Sequence, residues 1–173
     1  MWLRDWLGQD LASGDMPVRA RIFTYGYPSK VAKSFDNASL HDLGQGLLSH
    51  LAGTRRSSSK PLVLVGHSLG GLVVKQALKD AFHSEDESRR DIFDSCALLV
   101  MFGVPNLGLD NAAFLEMARG HKNEALMSDL GTNSHYLREL ERDMKNILKD
   151  RDLPVVTIWE TEDSPTNQAS LHL

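Results

Sequence analysis

Apolar residues fall along this chain in two rhythms, a helical recurrence and short unbroken runs. Trp2, Leu3, Trp6 and Leu7 recur at helical spacing, so a helix is expected at the start. Leu40, Leu43, Leu47, Leu48 and Leu51 form the stripe of a second helix. Ser39 and Asp42 introduce it with the spacing of a capping box. Gly44 and Gly46 weaken that helix by about 1 kcal/mol each and are expected to let it pack closely on a sheet. Residues 21–25, 61–65, 96–102 and 155–159 read as strands. The 61–65 run is apolar on both faces, as suits a parallel strand covered by helices on both sides. A helix follows from Leu69 to near Phe82, and two more are expected near 111–118 and 134–148. In the last of these Leu137, Leu140, Met144, Ile147 and Leu148 make the inward face. The stretches 53–60 and 83–91 read as polar loops. Strands alternating with helices predict a mostly parallel α/β sheet with right-handed crossovers. Residues 164–173 carry no pattern and read as an irregular tail behind a single domain over 1–163.

One junction carries chemistry. Gly66-His67-Ser68-Leu69-Gly70 matches G-x-S-x-G, with an apolar strand before it and a helix after it. That context is a nucleophile elbow, a sharp strand-to-helix turn that exposes a serine hydroxyl. The flanking glycines are expected because a Cβ at either place would crowd the turn. The backbone N–H of Leu69 then lies at a helix N-terminus, aimed where an oxyanion forms. The alternative is an ordinary Gly/Ser turn in some other α/β protein.

Composition narrows the classes. At 173 residues, 42% hydrophobic and 24% charged, the chain is an ordinary globular domain. Its net charge of −4 argues against a nucleic-acid footprint. Cys96 is the single cysteine, so no internal disulfide forms, and its place at the head of an apolar run marks a buried structural thiol. No run is long enough to span a membrane, and charges interrupt the first residues where a signal peptide would be apolar. A cytoplasmic location is the expectation. No histidine, cysteine or carboxylate cluster has metal-ligand spacing, so no metal or cofactor is expected.

The order of pieces resembles a known family. Trp2-Leu3-Arg4-Asp5-Trp6-Leu7, Ile22-Phe23-Thr24-Tyr25-Gly26-Tyr27, the elbow with Gly70-Gly71-Leu72-Val73-Val74-Lys75-Gln76-Ala77-Leu78, Phe102-Gly103-Val104-Pro105 and Trp159-Glu160-Thr161 follow in sequence. Together they resemble the α/β-hydrolase domain of the serine-active-site-containing protein family. Relatives of that family include GPI inositol-deacylase-like lipases and the hydrolase-like N-terminal domains of fungal NACHT/NLR-type receptors. The resemblance implies an α/β-hydrolase fold and serine esterase or lipase chemistry on acyl esters. Three departures stand out. The family's G-T-P-H-x-G turn is here Gly103-Val104-Pro105-Asn106-Leu107-Gly108. Its upstream H-G loop, which supplies a second oxyanion donor, is not found. Nor is the further strand that precedes its catalytic histidine. The domain is therefore expected to be truncated at both ends, with open sheet edges that favour self-association.

Ser68 is the expected nucleophile. In this fold the triad partners follow in the order serine, acid, histidine. The acid should sit just past the strand at 155–159, which selects Glu160, with Glu162 and Asp163 as substitutes. His172 is the one histidine after Glu160, and its twelve-residue spacing leaves little room to return to Ser68. His67 should point away from the nucleophile. His41, His50, His83, His121 and His135 read as solvated. Tyr25, Tyr27, Asn106-Leu107 and Phe114-Leu115 are the expected lining of an acyl or lipid-like substrate pocket. Losing the histidine of a serine triad costs about 10⁶ in turnover. The chain is thus expected to be weak or inactive alone, with a non-catalytic signalling or interaction domain as the alternative.

Overall fold

A computed structural model describes residues 5–13, 15, 17–27, 38–55, 60–108, 124–132 and 134–159. Its elements are α1 (Leu7–Ser13), α2 (Leu40–Thr54), β1 (Leu62–His67), α3 (Leu69–Phe82), α4 (Glu87–Ser95), β2 (Cys96–Phe102), α5 (Glu124–Leu130), α6 (His135–Arg151) and β3 (Val155–Ile158). The three strands form one parallel sheet in the order β1-β2-β3. The architecture is mixed α/β, with helices between successive strands as the alternating pattern predicts.

Both connections step along the sheet in one direction. Right-handed crossovers of that kind lay their helices on one face, and burial agrees. Leu64, Leu99 and Met101 are buried beneath the helices, together with Leu72, Val73 and Leu78 of α3. Val63, Val65, Val156 and Ile158 point to the other face and are exposed. Among the described residues, then, the helices cover one face of the sheet over β1 and β2 and leave the other more open, while β3 is exposed on both faces, Val155 and Thr157 included.

The helices form for legible reasons. Ser39 caps α2, its hydroxyl accepting from Asp42 N–H while the Asp42 carboxylate accepts from Ser39 N–H at 2.8 Å. Leu40, Leu43, Leu47 and Leu48 are buried, as the stripe requires. Gly44 does permit a close approach, but to α3 rather than to the sheet. A Cβ there would stand 2.6 Å from Gln76 Cγ. In α6 Leu137, Leu140, Met144 and Ile147 are buried, and Leu148 packs against the core at its edge. Asp152 closes that helix in the left-handed conformation.

Three expectations are corrected or extended. The charged stretch 83–91 is not a loop throughout. Asp86 accepts from Ser88 N–H and starts α4, which buries Ile92 and Phe93 just beyond the polar run. Arg90 lies over the Phe82 ring, 4.8 Å from its centre, and donates to the Phe82 carbonyl. Residues 21–25 do not form a strand. Segment 17–27 has no regular secondary structure and is mostly exposed, without ladder partners among the described residues. The short helix α5, with Leu126, Met127 and Leu130 buried, adds an element that the apolar pattern had not marked. The helix expected near 111–118 and the tail at 164–173 lie outside the described residues, as do Trp2 and Leu3.

Cys96 is fully buried and unpaired, and burial pushes its thiol up to about 11. It is a packing residue, as its sequence position predicts. Among the described residues no helix is long and apolar enough to cross a membrane.

Candidate functional site

The G-x-S-x-G segment occupies the junction of β1 and α3. β1 ends at His67, Ser68 stands alone between the elements, and Leu69 begins the helix. Ser68 has φ 51° and ψ −129°, a positive φ that L-residues adopt only under constraint. Its N–H donates to Phe102 O at 2.9 Å, which continues the β1–β2 ladder one residue past the strand. Its carbonyl accepts from Gly71 N–H at 3.0 Å, which starts the helix. The chain therefore reverses within one residue. The Ser68 side chain makes no capping hydrogen bond to the helix, so its hydroxyl is not spent on the fold. Leu69 occupies the first helical position, where a backbone N–H has no intrahelical acceptor.

Glycines make this bend possible, though not both of the expected ones. A Cβ on Gly66 would lie 2.5 Å from Gly71 Cα. A Cβ on Gly70 would meet only the Tyr27 hydroxyl, at an ordinary 3.5 Å. Gly71 is the second tight position: a Cβ there would stand 2.2 Å from Val104 Cγ2. The strand and the helix start thus meet backbone to backbone, and the Val104 side chain of the turn after β2 fills the space against Gly71.

That turn, residues 103–108, is the neighbouring wall. Gly103 has φ 50° and donates to Ile158 O at 2.8 Å, so the turn is also tied to β3. Val104 and Pro105 are buried, and Leu107 is exposed. Asn106 does not face a pocket freely, since its Oδ1 accepts from Lys75 Nζ at 2.7 Å. The same ammonium donates to Glu141 Oε2 on α6 at 2.6 Å. On the opposite side the half-buried Tyr27 places its hydroxyl beside Gly70. Burial, and secondarily the neighbouring Tyr25, raises the Tyr27 pKa above the usual phenol value. Tyr25 itself packs edge-on against His50, with ring centres 5.3 Å apart.

The remaining sequence candidates divide cleanly. Ile158 pairs with Phe102, which pairs with His67, so β3 ends level with the elbow at the C-terminal end of the sheet. Glu160, Glu162 and Asp163 follow that end and lie outside the described residues, with His121, His172 and Phe114-Leu115. The described histidines are engaged elsewhere. His41 lies 3.6 Å from Asp80 and His135 lies 3.5 Å from Glu139. His50 pairs with Gly46 O and His83 with Lys79 O, each at 2.9 Å. Those four are exposed, and so is His67, on the open sheet face.

No family model matches the chain, and no solved structure matches it. Two curated proteins are similar. Protein SERAC1 of Danio rerio is 28% identical over 164 residues, covering 92% of this chain and 24% of that protein. Protein SERAC1 of Mus musculus is 25% identical over 169 residues, covering 93% and 24%. The chain therefore spans about a quarter of the length of the curated relatives it matches.

Proposed function

We propose that residues 1–163 form part of an α/β-hydrolase domain and that Ser68 is its nucleophile, acting on acyl esters or lipid-like substrates. The observation behind this reading is the backbone of Ser68, a strained positive-φ serine between a parallel strand and a helix. Such strain concentrates at functional sites. Here it presents a hydroxyl that the helix does not use as a cap. In the proposed reaction Ser68 Oγ attacks the ester carbonyl and Leu69 N–H receives the oxyanion. Collapse of the tetrahedral intermediate breaks the ester C–O bond and releases the alcohol, which carries off the serine proton. Water then hydrolyses the acyl-serine to the free acid and restores the hydroxyl. Glu160, just past β3, is the proposed acid. Tyr27, beside Gly70, and the exposed Leu107 of the 103–108 turn would meet the acyl portion of the substrate.

A serine hydroxyl is a poor nucleophile until a base takes its proton. No described histidine contacts Ser68, so steady ester turnover by this chain should be low. Covalent capture is the more sensitive test. A fluorophosphonate probe should label the chain, and Ser68→Ala should abolish the label. Equal labelling of wild type and variant would end the reading. The histidine contacts away from Ser68 favour a second reading, a non-catalytic interaction or signalling domain. Absent labelling of a folded wild-type chain is the outcome that reading expects.

A further inference from the structure

Lys75 lies in α3 two turns beyond Ser68 and is only 8% exposed. A buried ammonium is costly, and a hydrophobic residue of similar volume often serves stability as well or better. Its partners say what it is there for. One is Asn106 in the turn beside the elbow and the other is Glu141 on α6. Among the described residues, the other hydrogen bonds of the turn are backbone, Gly103 N–H to Ile158 O, Asn106 N–H to Val104 O and Gly108 N–H to Pro105 O, while Val104 is seated against Gly71 and Gly108 lies close to Gly131. These hold its root and its internal bend. The Lys75 ammonium grips the tip through a side chain, and Glu141 on α6 holds that ammonium in place.

We infer that Lys75 is a positioning residue, which fixes the 103–108 turn as a wall of the Ser68 site through Asn106. It acts on substrate through the turn and does not touch the reacting atoms. The inference deepens the reading of Ser68 as nucleophile and rests on it. Lys75→Met keeps the volume of the stem and removes the charge. Asn106→Leu removes the acceptor at a half-buried position, and Asn106→Asp keeps an acceptor.

Two readouts on the full chain separate this role from a merely structural one. Backbone hydrogen exchange should quicken in 103–108 in Lys75→Met and Asn106→Leu, while β1 and β2 keep their protection. Fluorophosphonate labelling of Ser68 should slow by about tenfold in both variants, the scale expected when a site wall shifts slightly. Asn106→Asp should restore it. The double variant should be no slower than either single one, because the two residues act as one contact. Unchanged exchange in 103–108 would overturn the inference, and so would labelling that falls only in step with the unfolded fraction. Should the wild type fail to label, the nucleophile reading falls. The exchange experiment would then still decide whether Lys75 holds the turn.

Discussion

The two faces of the three-stranded sheet are built from the same residue types and meet opposite fates. Leu99 and Met101, under the helices, are 1% and 2% exposed, whereas Val63 and Val65 on the other face are 51% and 52% exposed. In sequence these residues belong to runs with no polar alternation. An apolar run tells which residues prefer to leave water. Which of them do so depends on where the crossover lays its helix.

Substitutions on the two faces should separate accordingly. Leu99→Ala leaves a cavity in the core on the covered face and should cost about 2–5 kcal/mol, measured by denaturant unfolding. A cost below about 1 kcal/mol would mean that the helices close over the gap. Gly71→Ala tests how tightly the covered side meets the turn after β2. Its Cβ would stand 2.2 Å from Val104 Cγ2, and overpacking of this kind costs about 1–3 kcal/mol. Gly71→Ala combined with Val104→Ala should recover part of that loss.

Smaller effects mark the rim of the covered layer. Ser39→Ala removes the hydroxyl that caps α2 and should cost about 1 kcal/mol at neutral pH. The Ser39 hydroxyl, and next its N–H, hold the Asp42 carboxyl below the usual aspartate range. A lowered native pKa contributes stability that is fully present above the ordinary aspartate value. That stability is lost as pH falls through the native one. The difference between wild type and Ser39→Ala should therefore be level near neutrality and narrow in acid, as thermal melts at several pH values will show. Val65→Thr on the open face should change stability by about 0.5 kcal/mol or less. A loss near that of Leu99→Ala would show that this face is covered in solution.

The parts that were legible in the sequence are those decided locally. The Ser39–Asp42 cap and the leucine stripe define α2, the inward residues of α6 follow its helical period, and G-x-S-x-G marks the bend at Ser68. The α4 helix is hidden in the sequence because its two buried residues, Ile92 and Phe93, follow a charged run without helical period. Residues 21–25 have strand composition, yet a strand also needs a partner, and no local pattern supplies one. At the site, Ser68 was legible from five residues. The Lys75–Asn106 contact was not, because it joins a helix to a turn 31 positions later. Gly70 belongs to the motif and Gly71 does not, yet the crowding is at Gly71, where it comes from Val104, a residue distant in sequence.

The single-residue reversal at Ser68 also bears on heat. Its backbone is uphill, and what holds it there is one hydrogen bond at the fraying end of the β1–β2 ladder and the first turn of a helix. Warmth loosens such termini before it melts a core. Reactivity at this serine should thus fade at a lower temperature than the one at which the chain unfolds.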